Sequence, residues 1–147
     1  MSLIENKKAH YSYEILQVFE AGIELRGIEV KALRQKHGSL DGGYVIIRGG
    51  ESYLVNATIP PYQTNNTPPD YDPTRARRLL LTKNEIMDLT NQTNKTNLTI
   101  VPLSIYNKGR KIKISIGVAR GRKKYDKREV LKKRQTDREV RRTLKSQ

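Results

Sequence analysis

Hydrophobic residues recur mostly at every second position. Between Arg110 and Val118 the apolar residues Ile112, Ile114, Ile116 and Val118 alternate with polar ones, the pattern of a strand with one buried face, while Arg110, Lys111 and Lys113 set charge along it. Residues 98–106 read as the hairpin partner of this strand, turned by Asn107-Lys108-Gly109. Pro102 marks an edge or a bulge in that partner, where a missing amide is tolerable. Residues 44–48 and 52–59 are rich in β-branched and aromatic side chains and are joined through Gly49-Gly50, a pair suited to the positive φ of a tight hairpin turn. Residues 13–20 read as a further strand, bent at Ala21-Gly22 and continued by 23–26.

Two stretches follow the helical period instead. Over 28–37, Val30, Leu33 and His37 fall on one stripe, with Lys31, Arg34 and Lys36 turned outward and Gly38 placed to supply a left-handed stop. Thr82-Lys83-Asn84-Glu85 has the form of a capping box and predicts a helix over 83–90 that buries Ile86 and Leu89. The segment 60–73 carries five prolines and reads as loop, as does the polar run 90–97. Asp70 and Asp72 suit turn chemistry better than a metal site there. Five or six strands with two short helices predict a mainly β fold, a small antiparallel OB-like β-barrel over 1–119. A two-layer α+β sheet is the alternative.

The alternation stops at Ala119, and the character of the chain changes. Residues 120–147 hold 13 Lys and Arg against 4 Asp and Glu, which leaves +9 of the +14 net charge in this segment. Its composition favours helix, but Val130, Leu131, Val140 and Leu144 are its only aliphatic anchors. So little apolar surface does not offset the entropy of ordering, so the segment is expected to be a basic tail, disordered alone and helical when bound.

A sequence pI near 10.1 points to a polyanionic partner, because each phosphate neutralised by Lys or Arg releases a condensed counterion. The absence of cysteine excludes disulfides and thiolate chemistry, and two histidines, His10 and His37, are too few for a metal cluster. No Gly-rich phosphate loop precedes a helix, and nothing implies a cofactor. No apolar run approaches the ~20 residues of a membrane span, and residues 1–10 lack the apolar centre of a signal peptide, so a cytoplasmic protein is expected. What remains is Arg and Lys interleaved with Tyr11, Tyr13, Tyr106 and Tyr125. Ring faces can stack on splayed nucleotides while cationic groups track phosphates, which argues for RNA binding by a protein that is not an enzyme.

Four motifs in order then carry a family resemblance. They are Asn6-Lys-Lys-Ala9; Phe19-Glu-Ala-Gly22 with Glu29-Val-Lys-Ala-Leu-Arg34; Asp72-Pro-Thr-Arg-Ala-Arg-Arg-Leu-Leu-Leu81; and Gly117-Val-Ala-Arg-Gly-Arg-Lys-Lys-Tyr-Asp-Lys-Arg128. Over nearly its whole length the chain resembles the bacterial SsrA-binding proteins (small protein B), partners of transfer-messenger RNA. The resemblance implies an OB-like domain that holds the tRNA-like part of that RNA and delivers it to stalled ribosomes for trans-translation. It implies an RNA-binding face of Asn6, Tyr11, Glu20, Arg34, Leu80 and Lys113, with Arg120, Arg122 and Lys123 on ribosomal or transfer-messenger RNA. It further implies that the tail enters the vacant messenger channel as a helix, with Tyr125, Asp126, Lys127 and Arg128 near the decoding centre and its 16S ribosomal RNA. Many members carry histidine where Tyr11 and Tyr125 stand; stacking survives that change, but an imidazole hydrogen bond does not. The residues read alone leave two other classes, an OB-type ribosomal or translation protein and an RNA-processing enzyme. The second would need a divalent ion or a compact carboxylate cluster that the sequence does not show.

Overall fold

The computed structural model describes residues 2–62, 67–95 and 97–121. Along the chain these form β1 (Ser2–Glu5), α1 (Lys7–Ser12), β2 (Tyr13–Ile23), α2 (Gly27–Arg34), β3 (Tyr44–Arg48), β4 (Glu51–Val55), β5 (Arg77–Leu80), α3 (Lys83–Lys95), β6 (Leu98–Lys108) and β7 (Lys111–Gly121). Every strand pairing is antiparallel, so the mainly β expectation holds. An open two-layer sheet would leave two edges. Here the order β6-β3-β4-β5-β2-β7 returns to β6, because β6 also pairs with β7, and β1 attaches to β6 outside that ring.

Inside the ring the period-two residues meet as foreseen. Ile114, Ile116 and Val118 of β7 are fully buried with Ile105 of β6, Leu54 of β4, Leu79 of β5 and Leu33 of α2. A second, smaller cluster lies under α1, where Ala9 packs with Val101, Leu103 and Ala119, bordered by Tyr13 and Ile15. Gly117 makes this packing possible, since a Cβ there would sit 3.0 Å from Ile15 Cγ2 and 3.2 Å from Leu103 Cδ1. The bulge foreseen at Pro102 is present as a register shift between Pro102 and Ser104. Asn6 serves it, its amide Nδ2 donating to Pro102 O at 2.9 Å and its backbone N to Leu103 O at 2.8 Å.

The hairpin turn at Gly49-Gly50 is as expected, with φ of 59° and 75°. So is the capping box: Glu85 accepts from Thr82 N, Thr82 Oγ1 accepts from Glu85 N, and Ile86 and Leu89 are buried. Elsewhere tertiary contacts override local pattern. The lead-in residues form β1 and α1, and β2 runs unbroken through Ala21-Gly22 to Ile23. Gly22 makes room rather than a bend, because a Cβ there would come within 3.1 Å of Leu80 Cβ. Strand β4 stops at Val55, where Asn56 turns to φ 61° and donates from Nδ2 to Gly42 O at 3.0 Å. Helix α3 continues to Lys95, and the hydroxyls of Thr90 and Thr93 fold back onto the carbonyls of Ile86 and Leu89.

Helix α2 departs most from its expected stripe. It buries Glu29, Ala32 and Leu33 while His37 is exposed, and after it both Lys36, at φ 62°, and Gly38, at φ 146°, take positive φ. Glu29 is completely buried because strand β5 and the loop before it supply its partners. Arg77 Nε donates to Oε2 at 2.8 Å, Arg75 donates to both oxygens, Tyr71 OH donates to Oε2 at 3.1 Å, and the Arg26 amide donates to Oε1 at 2.7 Å. The Arg77 side chain is fully buried as well and spends its remaining donors on the carbonyls of Ala57, Arg75 and Pro73. Burial pushes the Glu29 carboxyl up, but the hydrogen bonds from Arg75, the Arg26 amide and Arg77 outweigh it and hold the group below the ordinary glutamate range. Two of the three arginines before the apolar triplet are thus structural.

Candidate nucleic-acid interface

Strand parity decides what faces outward. With Phe19, Ala21, Ile105, Ile114 and Ile116 buried in the ring, Glu20 and Gly22 of β2, Lys113 and Ser115 of β7, and Ser104 and Tyr106 of β6 turn to the opposite face. Register then sets their neighbours. Lys113 lies between Gly22 and Tyr106, and Ser115 lies between Glu20 and Ser104. Across this short bridge of β7 the Glu20 carboxylate reaches β6, accepting from Tyr106 OH on one oxygen and from Lys108 Nζ at 2.8 Å on the other. The Lys108 bond first, then the Tyr106 bond, hold Glu20 below its ordinary range. Burial and the Glu20 carboxylate together push the Tyr106 phenol up to about 12.

Beside this cluster, α2 and the β6–β7 hairpin enclose a groove of about 360 Å³. Its floor is Gly22, Ile23 and Ile112, and its rim carries Arg34, Arg110, Lys111, Lys113 and Leu80. Arg34 Nη2 donates to Arg110 O at 3.4 Å and ties the helix to the hairpin tip. Leu80 is 48% exposed, whereas its neighbour Leu79 is buried. An apolar side chain ringed by four cations suits a phosphodiester chain whose bases or sugars make van der Waals contact while phosphates meet the guanidinium and ammonium groups.

Of the site residues expected from sequence, Arg34, Leu80 and Lys113 therefore share one groove, and Glu20 stands next to it on the same face. Tyr11 is half-buried on α1. On that helix Lys7 and His10 border a smaller hollow of about 290 Å³ with Val18, Ser104 and Ser115. Asn6 is placed differently. It is only 6% exposed, caps α1 by accepting from Ala9 N, and spends its amide on Pro102, so its side chain supports the helix rather than presenting itself to a ligand. Arg120 is exposed at the end of β7, 3.7 Å from Glu14 Oε2. Arg122, Lys123, Tyr125, Asp126, Lys127 and Arg128, with the tail they belong to, lie outside the described residues.

Sequence reasoning noted the charge of Arg110 and Lys111 but did not assign them to the site, and it missed Lys108. The signal was the basic character of residues 108–111; the turn lies at Gly109-Arg110, later than the expected 107–109, and Arg34 bonds to it through Arg110 O. The Glu20–Tyr106 contact had no local signal, since nothing in either segment says that β2 and β6 flank the same strand. Among the described residues no group of three or more His, Asp or Glu side chains is placed to hold a metal ion.

A family model described as SmpB protein matches residues 3–146. Among curated proteins, an SsrA-binding protein of Gloeothece citriformis is 46% identical over 143 residues, covering 97% of this chain and 92% of that relative. Another, from Enterococcus hirae, is 44% identical over 144 residues, covering 98% and 93%. A solved structure presented as "tmRNA-SmpB: a journey to the center of the bacterial ribosome" contains a chain that superimposes with a TM-score of 0.69 at 40% identity, over 87% of this chain and 93% of that one.

Proposed function

The chain belongs to the SmpB family, and from that membership we propose that it is an RNA-binding adaptor of trans-translation: it grips the tRNA-like part of transfer-messenger RNA and brings it to stalled ribosomes. One observation carries the assignment of the gripping face. Arg34, Leu80 and Lys113, distant in sequence and each expected at the interface from the family resemblance, line one cationic groove. In this reading Arg34 and Lys113 pair with phosphates, Leu80 packs on a sugar or base, and Tyr11 stacks on an exposed base at the elbow of the RNA. Asn6 contributes by seating α1.

The division of labour follows the charge. The folded part, which β7 extends to Gly121, holds the RNA, and the basic arm, with Arg122, Lys123, Tyr125, Asp126, Lys127 and Arg128, engages the ribosome near the decoding centre. Such work places the protein in the cytoplasm, and it is binding work with no bond made or broken by the chain itself. RNA co-purified with the protein from cells tests the assignment: one dominant small stable RNA is expected, and ribosomal RNA in its place would refute it in favour of a constitutive ribosomal protein. Truncation before Asp126 tests the division, with affinity for the tRNA-like fragment retained and peptide tagging abolished. Loss of affinity would unite the two parts.

A further inference from the structure

An acidic side chain in the middle of a phosphate-binding face needs a reason, because a carboxylate repels the ligand that the surrounding cations attract. Glu20 is such a group: exposed, flanked by Lys113, and standing beside the groove rimmed by Arg34 and Arg110. Its two oxygens are already engaged inside the protein, one by the Tyr106 hydroxyl and the other by the Lys108 ammonium group. We propose that Glu20 is a positioning residue for RNA recognition, acting through Tyr106 and Lys108, and that Tyr106 is a further RNA-contacting residue of this face.

The geometry explains how. Tyr106 stands on β6 directly opposite Lys113, and no side chain separates Lys113 from β2, where the paired residue is Gly22. A phenol at this spot could adopt several rotamers; the bond to Glu20 selects the one in which its hydroxyl leans over β7 and its ring lies along the face beside Lys113. The same carboxylate draws Lys108 back from the hairpin tip. Without it, a four-carbon ammonium arm would sweep solvent and pay its rotamer entropy when RNA arrives. Ser115, small and opposite Glu20, leaves the carboxylate room to reach across. The ring offers a stacking surface next to a phosphate-pairing lysine, the combination that suits an unstacked nucleotide.

This inference rests on the reading that the ligand is a tRNA-like RNA, and a mutant cycle separates the two. Binding of a transcribed tRNA-like fragment of transfer-messenger RNA is measured for the full chain, for Glu20→Ala, for Tyr106→Leu with Lys108→Ala, and for all three substitutions together. Acting through Tyr106 and Lys108, Glu20 has little left to lose once both are gone, so the triple variant should bind within about twofold of the weaker of the other two. Multiplying losses would mean that Glu20 meets RNA independently and would overturn the proposal. A wild-type chain that ignores the fragment would sink the functional reading and this inference together. Glu20→Gln adds a readout that bulk stability does not move: the Tyr106 phenol, followed by NMR of labelled tyrosine, should ionise at lower pH than in wild type because the carboxylate that raises it is gone. An unmoved Tyr106 titration would show that the contact is not held in solution and would refute the positioning role.

Discussion

Two glutamates in this protein are dressed alike, each accepting from a tyrosine hydroxyl and from basic side chains, yet they sit in opposite surroundings. Glu29 is sealed between α2 and the start of β5 with Tyr71, Arg75 and Arg77, whereas Glu20 lies on the open face with Tyr106 and Lys108. The same chemistry therefore does different work. Inside, removing one partner strands the others without water, so the cluster locks the proline-rich loop and β5 onto α2. Outside, water can replace any partner, so the cluster adds little to folding and instead fixes the shape that a ligand meets.

The largest effect that would test this contrast is expected from Glu29→Ala. Leaving Arg77 buried and uncompensated should cost about 3–5 kcal/mol in denaturant unfolding; a loss as small as that of a surface substitution would erase the distinction. Acid should act on the same cluster. Because the folded pKa of Glu29 is depressed, its contribution is fully present above the ordinary glutamate value and disappears as pH falls through the lower folded value. Unfolding curves collected from neutral to acid pH should show this loss in wild type, and Glu29→Gln, with its lower overall stability, should show less of it. Smaller again is Leu80→Ala, which should shift stability by no more than ~0.5 kcal/mol, since the side chain is half exposed, while weakening RNA binding. A fall in stability comparable to a core truncation would return Leu80 to the interior. The smallest change is a slope: Arg34→Gln should reduce the salt dependence of RNA binding by about one unit if it makes one phosphate contact, and an unchanged slope would remove it from the interface.

How much of this was legible in the residues depended on range. The alternating run of β7 with its hairpin partner β6, the β-branched run of β3, the diglycine turn and the Thr82–Glu85 cap are local signals, and the structure has an element at each. Strand β5 was hidden because Arg77 occupies an inward position, and a fully buried arginine breaks any alternation based on apolarity. Glu29 misled in the same way on α2. Both errors have one cause: the two residues compensate each other across a gap of 48 positions in sequence. The candidate site was expected from family resemblance alone, and its shape was not legible in the sequence. Only the ring places α2, β5 and the β6–β7 hairpin around one groove, and only the register across β7 joins Glu20 to Tyr106.

The pairing of β2 with β7 has a further consequence for how the molecule is made. Tyr13 lies opposite Gly121, so one of the first strands to be synthesised must wait for one of the last before its hydrogen bonds are complete. A nascent chain released before Lys111 would carry β2 and β6 each lacking their longest partner, with Phe19 and Ile105 uncovered. Such fragments present unpaired strand edges and apolar surface, the features that make incomplete products prone to aggregate. The folded part tolerates no edition of itself that stops short of β7, so a message broken there would yield debris for disposal.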